Sequence, residues 1–96
     1  MTVSLSTHVL DTAVGLPAAG VVVELVHETE HIARTETDAD GRARISESLD
    51  PGTYRIVFHP PSLFFTRVEL EIVLEDGHYH VPLLISPFSC ASYRGS

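Results

Sequence analysis

The chain has no lysine, only one cysteine and no apolar run long enough to cross a membrane, and each of these absences removes a class of function. Without lysine there is no side-chain amine for Schiff-base chemistry, which leaves only the terminal amine of Met1. The lone Cys90 cannot close a disulfide within the chain. Secreted domains of this size are usually stapled by several disulfides, so a reducing, cytoplasmic setting is expected. The opening residues MTVSLSTHVL alternate, with neither the basic n-region nor the continuous apolar h-region of a secretory leader. Positive charge is scarce as well: six arginines face thirteen Asp and Glu, for a formal net charge of −7. That field repels nucleic acid and anionic membrane surfaces, so neither is expected as a partner. Six histidines are therefore the main groups that titrate near neutral pH.

What is present reads as one folded unit spanning residues 1–96. Apolar residues make up 44% of the chain, and no repeat or low-complexity stretch interrupts them. A domain this small buries only about two thirds of the surface its unfolded chain exposes, so a partner chain would add to its stability. The pattern is that of strands. VSLSTHVL alternates Val3, Leu5 and Thr7 against Ser4, Ser6 and His8, which puts His8 on a polar face. VVVELVHE (21–28) is a β-branched strand, with HIARTETD as its hairpin partner across a turn near Thr29 and Glu30.

DADGR (38–42) places Asp and Gly where a tight turn needs a side-chain acceptor and a positive φ. Its likeness to a calcium loop ends at the twelfth position, where Leu49 stands in place of the required Glu. Asp50 to Gly52 is a second turn, followed by a strand with Tyr54, Ile56 and Phe58 on one face. PPSLFF breaks that strand, with room for one helical turn. VELEIVLE sets Val68, Leu70, Ile72 and Leu74 against a solvent-facing row of Glu69, Glu71 and Glu75. Asp76-Gly77 reads as a hairpin turn into a strand that runs to Ile85, and Pro82 within it implies an edge position or an interruption. SPFSCASYRGS has room for one last strand. The sum is an all-β fold, a two-sheet β-sandwich of seven or eight short strands with at most one short helical turn.

Residues with chemical potential are few. His78 and His80 are two apart on a strand and share a face, so surface, catalytic and metal-ligand roles are all open to them. Two nitrogens do not make a metal site, and no third ligand sits at useful spacing, so no metal is expected. His27, His31 and His59 read as structural, and Cys90 as a packed small residue rather than a nucleophile. No Gly-x-Ser-x-Gly and no phosphate-cradling loop occur.

Taken together, STHVLD, DADGR, HYHVPLLISPF and the closing SYRGS resemble the 5-hydroxyisourate hydrolases, the transthyretin-related enzymes of purine degradation. The likeness runs from Leu5 to Ser96. Its most specific element is Tyr93-Arg94-Gly95-Ser96, an ending that hormone-carrying transthyretins lack. The resemblance implies a transthyretin-like sandwich that forms a homotetramer, takes a small-molecule substrate at a subunit interface and needs no cofactor. The implied reaction is ring-opening hydrolysis of 5-hydroxyisourate to 2-oxo-4-hydroxy-4-carboxy-5-ureidoimidazoline.

By the same resemblance His8, Arg42, His80 and Ser96 are catalytic, and Arg42, Tyr93, Arg94 and Gly95 meet the substrate. Arg94 has a second reading, as an anchor for the tail through an acidic residue. Two other functions stay in view: a transthyretin-like carrier without catalysis, which needs an apolar, arginine-free channel, and a cupin-like metal barrel built on His78 and His80. The chain departs from the family pattern at Cys90, where Tyr is common, at Phe65-Thr66-Arg67, where a Phe-Pro-Glu type entry is usual, and in its short middle loops.

Overall fold

Among the described residues ten strands follow one another: β1 (Val3–Asp11), β2 (Leu16–Pro17), β3 (Val22–His27), β4 (Glu30–Glu36), β5 (Arg42–Leu49), β6 (Gly52–His59), β7 (Val68–Leu74), β8 (Gly77–His80), β9 (Leu83–Ser86) and β10 (Ser89–Ser92). The computed structural model describes residues 2–95. Setting aside the two-residue β2, and joining β8 to β9 across the break at Val81-Pro82, leaves eight strands, within the seven or eight expected from the turn spacing. Among the described residues there is no helix, and so none long and apolar enough to cross a membrane.

β1 organises the larger sheet. On one side it pairs in parallel with β8 and then β9; on the other it pairs antiparallel with β5 and then β2. β10 extends this six-stranded sheet beyond β9. The second sheet is antiparallel, in the order β4-β3-β6-β7. The inner faces meet over a core of Leu5, Val9, Val23, Leu25, Ile56, Phe58 and Leu83, all fully buried. Each such side chain contributes about 1.5–3 kcal/mol of transfer free energy. The alternation in β1 falls as its sequence dictates, with Val3, Leu5, Thr7 and Val9 inward and Ser4, Ser6 and His8 outward.

Two expectations are corrected. Asp76-Gly77 is not a hairpin turn, because β7 is the edge of the four-stranded sheet while β8 crosses over to lie parallel to β1 in the other sheet. The crossing lets Val81, Leu83 and Ile85 close the core, while His78 and His80 face outward with the polar side of β1. Cys90 is exposed rather than packed, because it lies on the edge strand β10, which no further strand of the subunit covers. PPSLFF forms no helical turn; Ser62 Oγ accepts from the N–H groups of Phe64 and Phe65 and shapes an irregular link. The Val81-Pro82 interruption matches the expectation from Pro82, and there the buried Thr7 hydroxyl donates to the Val81 carbonyl at 2.6 Å.

Candidate active site

The register of three strands assembles the site. Parallel pairing sets Ser4 opposite His78 and Ser6 opposite His80, and antiparallel pairing sets His8 opposite Arg42. Alternate residues of a strand share a face, so all six project from the outer surface of the larger sheet. Arg42 is placed by the DADGR turn. There Asp38 Oδ1 accepts from the N–H groups of Asp40 (2.9 Å) and Arg42 (3.0 Å), and the Asp38 N–H donates to the Arg42 carbonyl at 2.8 Å. Asp38 is thus committed to the turn. The turn is tied to β1 one residue beyond His8, where the Val9 N–H donates to the Gly41 carbonyl at 2.7 Å.

Among the described residues the His80 ring is held on one side only. Its Nδ1 lies 2.9 Å from Ser6 Oγ, and among the described residues its Nε2 has no protein hydrogen-bond partner. Ser6 Oγ is also 3.0 Å from His78 Nε2, while His78 Nδ1 is 2.7 Å from Ser4 Oγ. Burial, and then the electrostatic influence of Arg42 and of the neighbouring His8 and His78, push His80 below the ordinary imidazole value of 6.5. A half-buried imidazole kept neutral, with one ring nitrogen available, is suited to accept a proton.

The tail reaches the same spot. The Gly95 N–H donates to the His80 carbonyl at 2.6 Å, forming an isolated bridge between the two residues. A Cβ at position 95 would lie 2.9 Å from His80 Cδ2 and 3.2 Å from the His80 carbonyl oxygen, so the approach is open to glycine alone. Arg94 packs its guanidinium 4.0 Å over the Tyr79 ring centroid, an aromatic contact in place of the acidic partner expected for an anchor. Tyr93 and Arg94 line a groove against β7, whereas Arg42 borders a hollow with Ser6, Thr7, Asp38 and Arg44. His8, Arg42, His80 and Gly95 therefore gather on one face, and Tyr93 and Arg94 do not join them. Ser96 lies outside the described residues.

The other three histidines lie on the second sheet. His59 Nε2 and His31 Nδ1 sit 2.7 Å and 3.2 Å from the two oxygens of Glu24, and His27 packs on Tyr54 with ring centroids 4.8 Å apart. The hydrogen bond from His59 is the largest influence holding the Glu24 carboxyl below its ordinary value. Among the described residues no group of three or more His, Cys, Asp or Glu side chains could hold a metal ion. The contacts of Ser4 and Ser6 with the histidines go beyond the polar face that their spacing predicts, because the parallel pairing that makes them leaves no local mark in the sequence.

The profile of the HIUase/transthyretin family matches residues 5–95. The chain belongs to this family. A 5-hydroxyisourate hydrolase of Caulobacter vibrioides is 40% identical over 112 aligned positions, covering 96% of this chain and 97% of that protein. The Klebsiella pneumoniae 5-hydroxyisourate hydrolase superposes with a TM-score of 0.88 at 36% identity, covering 97% of this chain and 98% of that one. Sea bream transthyretin in complex with thyroxine superposes at 0.84 and 28% identity, covering 95% and 93%. The alignment with the Caulobacter relative runs over 112 positions while covering 96% of the 96-residue sequence, so it opens gaps in this chain relative to that hydrolase.

Proposed function

We propose that the protein is a 5-hydroxyisourate hydrolase, working in the cytoplasm as a homotetramer and opening the ring to 2-oxo-4-hydroxy-4-carboxy-5-ureidoimidazoline. The observation that carries this reading is the convergence of His8, Arg42 and His80 on one outer face, with His80 kept neutral and its Nε2 available. Water loses a proton to the histidine pair and adds to a ring carbonyl. Arg42, always charged and planar, stabilises the resulting oxyanion. The carbon–nitrogen bond then breaks, and the histidine returns its proton to the departing nitrogen. The family resemblance adds Ser96 as a further catalytic residue.

The site is open on an outer sheet face in one subunit, and a second subunit over that face would supply the opposite wall and exclude water. A carrier of apolar ligands is disfavoured, because unpaired imidazole and guanidinium groups are costly against an apolar molecule. The deciding assay follows the absorbance of 5-hydroxyisourate generated in situ from urate. Decay no faster than the spontaneous background would remove the assignment.

Two variants sharpen it. Arg42→Lys retains the charge but loses the two-pronged contact, and kcat/KM is expected to fall by about 10²-fold, the scale of one lost oxyanion donor. An unchanged rate would take Arg42 out of the site. Gly95→Ala adds a methyl at 2.9 Å from the His80 ring and lifts the tail. The fold, monitored by circular dichroism, is expected to persist because the change lies at the chain end. kcat is expected to drop by up to about 10²-fold, as for other misplacements of this size. Full turnover by this variant would show that the tail has no part in catalysis.

A further inference from the structure

The hydrolytic scheme gives no task to Ser4, Ser6 or His78, although they form a continuous hydrogen-bonded line that ends on His80 Nδ1. We propose that Ser6 and His78 are positioning residues for His80, and that the line lets the positive charge acquired by His80 during turnover move to the exposed His78 and back. The proposal rests on the hydrolytic reading above.

The argument starts from the inventory of donors. A serine hydroxyl has one proton, so Ser6, lying between two ring nitrogens, donates to one and accepts from the other. The line therefore has two polarities. In the first, His80 Nδ1–H donates to Ser6 Oγ, the Ser6 hydroxyl donates to His78 Nε2, and His78 Nδ1–H donates to Ser4 Oγ. His80 Nε2 then carries a lone pair and is ready to act as a base. In the second polarity all three bonds reverse and Nε2 carries a proton. Ser6 thus couples the tautomer of His80 to that of His78, as a partner on one ring nitrogen fixes the state of the other.

The proton inventory closes without any other reactant. His80 Nε2 takes a proton from water and becomes an imidazolium. Its Nδ1 proton passes to Ser6 Oγ as the Ser6 proton passes to His78 Nε2, so His80 is neutral again and His78 is the cation. When the ring nitrogen departs, both shifts reverse and His80 Nε2 delivers its proton there. One proton is taken, held and returned.

Position favours this transfer. His80 is half-buried and faces His8 from β1 and Arg42 from β5, both of which oppose a positive charge on it, whereas His78 is exposed to water. Moving the charge outward relieves that repulsion without moving the base. The parallel register that sets Ser4 opposite His78 and Ser6 opposite His80 holds the four groups in line.

The test compares wild type, Ser6→Ala and His78→Ala in the 5-hydroxyisourate assay, with and without added imidazole. Both variants are expected to lose about 10²-fold in kcat with KM unchanged, the low end of what a proton-transfer group contributes. Imidazole, which replaces the deleted ring in kind and can reach the exposed position 78, is expected to restore His78→Ala in a saturable manner. It is not expected to restore Ser6→Ala, where the link itself is cut. Wild-type kcat in His78→Ala, or a loss that imidazole leaves unchanged, would overturn the relay while the hydrolase reading stands. A wild-type protein that does not accelerate substrate decay would overturn both.

Discussion

His80→Ala is expected to lower kcat by about 10²–10⁴-fold, the range that a positioned general base contributes. The expectation follows from geometry and charge together. His80 is tethered through Nδ1 to Ser6, packed under Gly95 and exposed to the fields of His8 and Arg42, so its available nitrogen is aimed and its neutral form is favoured. The pH dependence has a definite sign. A base works unprotonated, and its lowered pKa in the free protein extends the neutral form to more acidic solution, so kcat/KM should rise with pH along a limb centred below 6.5 and stay flat above it. Stability runs the same way. The unfolded histidine, with its ordinary value, binds more protons than the folded one, so this contribution is fully present above 6.5 and is lost as pH falls through the lower folded value. Steady-state rates measured between about pH 5 and 8, where histidine titrates, check both features. An undiminished rate in the variant, or a limb centred above 6.5 in the wild type, would show that the proton is taken elsewhere. The same measurement on His8→Ala separates the pair: a smaller loss with an unmoved limb leaves His80 as the base.

Much of this was legible in the sequence because the signals are local. Period-two alternation gave the inward and outward faces of β1 and β6, Asp-x-x-Gly gave the turn that carries Arg42, and Pro82 gave the break after β8. The polar face of β1 and the shared face of His78 and His80 were also readable, since both follow from spacing alone. What was not legible depends on pairing between distant segments. Asp76-Gly77 looks locally like a hairpin, yet its second strand finds β1 in the other sheet, and only that choice brings Ser6 to His80. β5 gave little sign of itself, because only Ala43 and Ile45 mark its buried side between charged neighbours. The exposure of Cys90 follows from β10 being an edge, which is a property of sheet order rather than of the residues around it. As a tail anchor, Arg94 stacks its flat guanidinium on the Tyr79 ring rather than pairing with an acidic residue, a contact that its charge alone does not signal.

Gly41→Ala is expected to be the most damaging small substitution for stability. Gly41 has φ +73°, a conformation that costs an L-residue about 1–2 kcal/mol. Its missing Cβ is also the reason three segments can meet. A methyl there would lie 2.5 Å from the Val9 carbonyl oxygen, 2.9 Å from Pro17 Cβ and 3.2 Å from the Ala18 nitrogen. Two of these three atoms are backbone and cannot swing aside, and the Val9 carbonyl already accepts from the Ala18 N–H at 2.9 Å. Overpacking of this kind costs a further 1–3 kcal/mol or so, giving a loss of about 2–5 kcal/mol measured by urea unfolding. Gly15→Ala is the matched control. It has φ +72° but nothing within 4 Å of the added methyl, so about 1–2 kcal/mol is expected. Equal losses in the two variants would mean that the junction of turn, β1 and β2 yields easily. The comparison reaches the site as well, because Arg42 follows Gly41 directly and is held by the same turn. A wedge that parts the turn from β1 moves the guanidinium away from His8, so the Gly41→Ala molecules that do fold should retain little of the wild-type kcat, while folded Gly15→Ala keeps it.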